Sequence, residues 1–195
     1  AVQRDDALAA PDQHAVDLDV LGGHAGGRRV GDAQVAEQLL DGAAVLDRQI
    51  FYNHSIYDGS AAADSADDQA IVSYRHALRP GQVPTRENVT SYSRGINGIM
   101  VDVAGLPPPA DPSNDRLPAA DFQFQVGDGT FAGWSDAPPP VSITVRRGAG
   151  FGGSDRVTLI WEDGAVRDEW LKVTVLANES TGLAAADVFS FGNLV

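Results

Sequence analysis

Apolar and polar side chains alternate along most of the chain after residue 49, as they do in β-strands with one buried face. The alternation is clearest over residues 122–126, 141–146 and 171–175. Further strands are predicted over residues 50–54, 98–103, 157–161 and 187–191. About seven or eight short strands separated by Gly, Pro and Asp turns predict an all-β fold, namely an antiparallel β-sandwich of the immunoglobulin-like or jelly-roll-like kind.

Two stretches show helical spacing instead. One short helix is predicted over residues 66–78, where Ala70, Ile71, Tyr74 and Leu78 could share a face. The other pattern lies in the first segment and consists of Val35, Leu39, Leu40, Ala43 and Leu46. Because residues 1–48 contain no aromatic side chain and many small ones, we expect them to be weakly ordered or partly helical. The β-sandwich domain is predicted to span residues 49–195.

The charge of the chain restricts its partners. Asp and Glu number 27 against 14 Lys and Arg, which gives a formal net charge of −13. Such a surface repels phosphate backbones, so we expect no binding to nucleic acid.

No apolar run is long enough to cross a bilayer, and no membrane insertion is expected. The first residues lack the features of a signal peptide, and the chain has no cysteine for disulfides.

A glycine-rich stretch at residues 148–153 matches the spacing of a dinucleotide-binding loop. That chemistry requires a helix directly after the glycines, whereas the apolar pattern of residues 157–161 predicts a strand. A long hairpin loop is therefore the better interpretation. The chain also lacks a Gly-x-Ser-x-Gly motif, and its four histidines have no metal-ligand spacing. No catalytic residues are predicted.

Acidic residues cluster shortly after the first predicted strand. Asp58, Asp64, Asp67 and Asp68 lie near Asn53 in the sequence. Calcium prefers several such oxygens from one loop, so these residues are candidate ligands for a structural calcium ion. The spacing is not that of an EF-hand, and a solvated acidic loop remains the alternative.

Two of the three tryptophans are candidate ligand contacts. Trp161 has the parity of the apolar positions in its strand, which indicates a core residue. Trp170 instead has the parity of Lys172 and is expected to be exposed, and Trp134 stands in a predicted loop. Trp134 and Trp170 could therefore stack against a sugar ring.

The turn at residues 163–164 predicts that the last three strands form a meander.

Several strings occur together in a recognisable order. They are FYNHSIYDG at 51–59, TSYSRGINGIMVD at 90–102, GSDRV at 153–157, WLKVTV at 170–175, TGL at 181–183 and DVFSFGN at 187–193. In these strings the chain resembles an uncharacterised domain of planctomycete exported proteins, which precedes a C-terminal dockerin-like repeat. The resemblance implies a β-rich accessory role outside the cell or at its surface. The chain stops where the repeat would follow, so we expect no dockerin function here.

These observations favour a non-catalytic extracellular module, and association with carbohydrate is the leading hypothesis for its role. A spacer or adhesion domain without a small ligand is the alternative, and a polysaccharide-active hydrolase comes third. The expected partner is a polysaccharide or another surface protein, and the chain is expected to be a monomer. No cofactor is predicted other than the candidate structural calcium ion.

Overall fold

The computed structural model describes residues 42–58, 63–109, 111, 113–129 and 133–195. Within these residues the chain forms nine strands and four short 3₁₀ helices. The strands are β1 (Ala44–Ile50), β2 (Val89–Thr90), β3 (Gly98–Ala104), β4 (Phe122–Gly127), β5 (Ser135–Asp136), β6 (Ser142–Arg146), β7 (Asp155–Ile160), β8 (Trp170–Val175) and β9 (Asp187–Asn193). The 3₁₀ helices are Ala66–Ala70, Arg86–Asn88, Ala119–Asp121 and Phe151–Gly153.

The strands form two sheets. One has four strands in the order β1-β3-β7-β6, and all its pairs are antiparallel. The other has five strands in the order β2-β9-β8-β4-β5. Its pairs are antiparallel except that the two-residue β2 runs parallel to β9. The fold is thus mostly antiparallel, as predicted, with one short parallel exception.

The two sheets contribute to one hydrophobic core. Val101 and Leu159 of the four-stranded sheet are buried together with Val173 and Phe189 of the five-stranded sheet. Just after β7, Trp161 meets Phe124 of β4 edge to face, with ring centroids 5.3 Å apart. Burial of this apolar surface is the main force that holds two such sheets together. The arrangement is consistent with a β-sandwich.

The first strand lies earlier than predicted. β1 begins at Ala44, so position 48, the predicted end of the N-terminal segment, falls inside a strand. Ala43 bridges to Leu183, and Leu46 lies at a register shift between Val45 and Asp47, so these two residues are not helical. The pairing of β1 with β3 and the bridge from Ala43 to Leu183 satisfy the backbone of this segment, which outweighs its helical spacing. Val35, Leu39 and Leu40 lie outside the described residues.

The predicted helix over residues 66–78 does not continue beyond residue 70. The 3₁₀ helix Ala66–Ala70 provides one turn, after which Ile71 pairs with Phe51. The amide of Val72 donates to the carbonyl oxygen of Ile50 at 3.0 Å, so residues 71 and 72 lie antiparallel beside the end of β1. Nowhere in the described ranges does a helix have the length and apolarity needed to span a membrane.

The predicted meander of the last three strands is correct only for β8 and β9, which pair antiparallel, because β7 belongs to the other sheet. Between β7 and β8 the chain is held against the loop before β3. Asn97 Nδ2 donates to Asp163 Oδ1 at 2.7 Å, and the amide of Ile96 donates to the carbonyl oxygen of Val166 at 2.8 Å. Val166 is fully buried, so the connection crosses the core edge instead of closing a hairpin.

Candidate ligand-binding surface

The outer face of the five-stranded sheet carries both candidate tryptophans. Directly paired residues on neighbouring strands share a face, and Trp170 pairs with Gly127 on one side and Gly192 on the other. Lys172 lies two residues further along β8 on the same face. Its ammonium group stands 4.3 Å from the centroid of the Trp134 ring. The fold therefore brings the two predicted residues to one surface.

Trp134 leads into β5 and lies half buried over the end of β4. A Cβ atom at Gly127 would come within 3.2 Å of the indole, so the glycine permits this close approach. Burial lowers the pKa of Lys172, whose side chain lies across the indole. The ring lines a cleft of about 480 Å³, hereafter the first cleft, together with Lys172, Arg79, Gln82 and Pro84.

Trp170 has the predicted parity but not the predicted exposure. Only 6% of the residue is exposed. Its ring lies against two glycines, since a Cβ at Gly192 would come within 2.9 Å of the indole and one at Gly129 within 2.8 Å. Trp170 lines a second cleft of about 580 Å³ next to Pro84 and Arg86. It thus forms the floor of that cleft and offers little surface to a ligand.

The segment of residues 78–88 forms the wall between these clefts. It leaves the edge of β9 at Leu78, whose amide and carbonyl both bond to Ser190 at 2.9 Å, and it returns to β9 through β2. Thr85 caps the 3₁₀ helix Arg86–Asn88, with Asn88 Oδ1 accepting from the amide of Thr85 at 2.7 Å. Pro84 lines both clefts. The wall is therefore fixed to the sheet at both ends.

A third cleft of about 450 Å³ lies where the chain passes from β1 to this wall. Arg48, Arg75, His76 and Arg79 line it. The guanidinium of Arg48 donates two hydrogen bonds, of 2.7 and 2.5 Å, to the carboxylate of Asp187. The guanidinium of Arg79 forms a salt bridge of 2.9 Å with the same carboxylate. Arg79 is shared with the first cleft. Sequence reasoning did not single out these cations, because the turn residues Pro80, Gly81 and Pro84 were the only local signal.

The four predicted calcium ligands have hydrogen-bond or ion-pair partners within the protein. Asp68 pairs with Arg146 and, at 2.9 Å, with Arg156. Although burial alone would raise the pKa of Asp68, hydrogen bonds from these two arginines hold it below its usual value. Asp58 Oδ2 accepts from the amide of Ser55 at 3.2 Å. Among the described residues no three His, Cys, Asp or Glu side chains are arranged to hold a metal ion, so nothing in the structure supports the calcium prediction.

Asp67 is the unusual member of this acidic cluster. The residue is fully buried, and its Oδ2 accepts from the amide of Asp64 at 3.2 Å. Its Oδ1 has no hydrogen-bond partner. Burial, together with repulsion from Asp64 and Asp58, raises the pKa of Asp67 from 3.8 to about 6. The ionised form at neutral pH therefore costs stability.

We expect Asp67→Asn to stabilise the protein at pH 7 by on the order of 2 kcal/mol. The folded state holds the Asp67 proton up to about pH 6, whereas the unfolded chain releases it near pH 3.8. The penalty of ionisation consequently grows as pH rises from about 4 to about 6 and is complete above it. Urea unfolding of both proteins across this range measures it, with the exposed Asp136→Asn as a control. A stability difference that does not change with pH would contradict the assignment.

The glycine-rich stretch has a structural role next to Asp102. The amide of Phe151 donates to Asp102 Oδ2 at 2.8 Å, and a Cβ at Gly150 would come within 2.8 Å of the Asp102 carboxyl carbon. Gly148 and Gly152 both have positive φ, at 68° and 64°. β7 follows at Asp155, which confirms that a strand, not a long helix, comes after the glycines. The glycines thus allow this loop to close over a buried carboxylate.

The resemblance to the planctomycete domain, and the dockerin association that it implies, stay predictions because comparison with known proteins tests neither. The chain matches no protein-family model, no curated protein and no solved structure.

Proposed function

We propose that this protein is a non-catalytic accessory module, extracellular or at the cell surface, that binds polysaccharide through the first cleft. One observation carries the proposal. Trp134, a half-buried tryptophan, lines a cleft of about 480 Å³ together with Arg79, Gln82 and Lys172. Ligand sites combine apolar walls with a few polar groups that fix orientation, and this cleft has both. We further propose that the two sheets form an immunoglobulin-like or a jelly-roll-like sandwich.

The chemistry of the first cleft suits a sugar ring. The C–H groups on one face of a pyranose pack against an indole, while its hydroxyl groups require hydrogen-bond partners. Gln82 is exposed beside Trp134 and can both donate and accept. Lys172 supplies up to three donors. The wall of residues 78–88 is bound to β9 at both of its ends, which lowers the entropy lost when a ligand binds.

Trp134→Ala is expected to weaken polysaccharide binding about tenfold or more, because the stacking surface is removed. Trp134→Phe keeps an aromatic ring and should retain most of the affinity. Affinity electrophoresis and calorimetry with soluble neutral and acidic polysaccharides measure the effect.

Phe151→Ala is the matched control for this test. Phe151 is an aromatic residue that is 63% exposed, in the loop before β7 of the other sheet. Its removal should leave binding unchanged. Equal loss of binding in the Phe151 and Trp134 variants would exclude the first cleft as the binding site, and a negative result with every polysaccharide would favour the spacer role.

A further inference from the structure

The three clefts carry a charge opposite to that of the whole chain. Asp47 is the single acidic residue among those that line them. Five cationic residues line them, namely Arg48, Arg75, Arg79, Arg86 and Lys172. Acidic residues outnumber Lys and Arg by 27 to 14 in the chain. A protein that otherwise repels anions thus gathers positive charge at one surface, which concentrates anions there.

Three of these five cations also lack a carboxylate partner. Within the described ranges, every Lys and Arg has a salt bridge to an Asp except Arg75, Arg86, Arg116 and Lys172. All of these except Arg116 line the clefts. The chain has more than enough acids to neutralise them. Their lack of partners leaves positive charge available to a ligand, and complementary charge is what selects an anionic partner.

The clefts are joined through shared residues. Arg79 lines the first and third clefts, and Arg75 lines the second and third. Arg79 keeps 40% of its side chain exposed although it contacts Asp187. One guanidinium nitrogen of Arg75 donates to the carbonyl oxygen of Arg86, which orients the group, while its Nε is covered and has no hydrogen-bond partner.

We propose that the ligand is an anionic polysaccharide whose uronate carboxylates pair with Arg75 and Arg79 while a sugar ring stacks on Trp134. This inference rests on the proposed polysaccharide-binding function of the first cleft. Arginine suits the role because its planar fork matches a carboxylate with two parallel hydrogen bonds. The linked clefts offer one path along which successive acidic sugars meet successive cations.

The test compares uronate oligosaccharides with their methyl esters, which keep the sugar and remove the charge. Oligogalacturonate, alginate and glucuronoxylan fragments are titrated in free and esterified form. We expect at least one free acid to bind about tenfold or more tightly than its ester, with an affinity that falls as salt is added. Arg75→Gln should remove about tenfold of the affinity for the acid and leave that for the ester unchanged. Arg79→Gln, at a residue that also lines the first cleft, should weaken binding of the acid more than binding of the ester. Arg116→Gln, which makes the same charge change outside the clefts, should alter neither.

The alternative outcomes separate the two proposals. Equal affinity for acid and ester, lost in Trp134→Ala, would overturn the anionic ligand and leave the polysaccharide function intact. Binding to none of the acidic or neutral oligosaccharides would overturn both. If a sulfated chain bound more tightly than a carboxylated one, the uronate would be rejected. If polyglutamate bound as tightly as the acidic oligosaccharides, with an affinity that depends on Arg79 but is unchanged in Trp134→Ala, a polysaccharide ligand would be rejected.

Discussion

Asp102→Ala should destabilise the protein by about 3–5 kcal/mol, the cost of removing one partner from a buried ion pair. The Asp102 side chain is fully buried, and that of Arg156 is 8% exposed. Two hydrogen bonds of 2.8 Å join the guanidinium to the carboxylate, which also raises the pKa of Arg156 and keeps it charged. Without Asp102 the arginine keeps only Asp68, and the amide of Phe151 loses its acceptor.

Urea unfolding with an unchanged m-value measures the Asp102 effect. Arg167→Ala is the control, because it breaks a 3.7 Å contact with Asp168 between side chains that are about half exposed. Its expected cost is below about 1 kcal/mol. The double variant Asp102→Leu/Arg156→Met should recover much of the loss, since neither position then carries a buried charge. A single-variant cost as small as that of Arg167→Ala would show that the pair does not hold β3 and β7 together.

Trp161→Ala should cost about 3–5 kcal/mol, as expected for the truncation of a large buried side chain. The residue is 1% exposed and contacts Phe124 of the opposite sheet edge to face. Its Nε1–H donates to the carbonyl oxygen of Pro138 at 2.9 Å, which ties the loop before β6 to the core. Truncation therefore opens a cavity between the sheets and releases that loop.

A more conservative change separates these two contributions. Trp161→Phe keeps most of the ring contact with Phe124 but removes the hydrogen bond to Pro138, so a loss of about 1–2 kcal/mol is expected. The exposed Phe151→Ala should change stability by less than about 0.5 kcal/mol. If Trp161→Ala behaved like Phe151→Ala, the two sheets would not share the core described above.

The strands were the most predictable part of this molecule. β3, β4 and β6 to β9 lie within about two residues of the alternating stretches, because alternation reports one buried face directly. β1 was misplaced because a bulge near Leu46 interrupts its alternation. The assignment of strands to sheets was not predictable, since no local pattern tells whether the chain after Trp161 turns back or crosses to the opposite sheet.

The positions of the residues on the candidate ligand-binding surface were predictable only in part. Trp134 was identified because a tryptophan in a loop is hard to bury, and Trp170 was assigned the correct face from its parity. Its burial depends on Gly129 and Gly192, which are distant in sequence and leave room for the ring. The cleft cations were missed because Arg79 reaches the cleft of Trp134 and Lys172 through the pairing of Leu78 with Ser190, which is more than a hundred residues away in the sequence. Such non-local contacts leave no local signal.

The edges of both sheets affect how the protein behaves at high concentration. Unpaired backbone groups on an edge strand are a template for aggregation, and natural proteins blunt them with short strands, bulges and charges. The five-stranded sheet ends in β2 and β5, each only two residues long. In the other sheet β1 carries the irregularity before Asp47, and β6 ends in Arg146, which is paired with Asp68. These edges leave little regular backbone on which a second copy could extend either sheet.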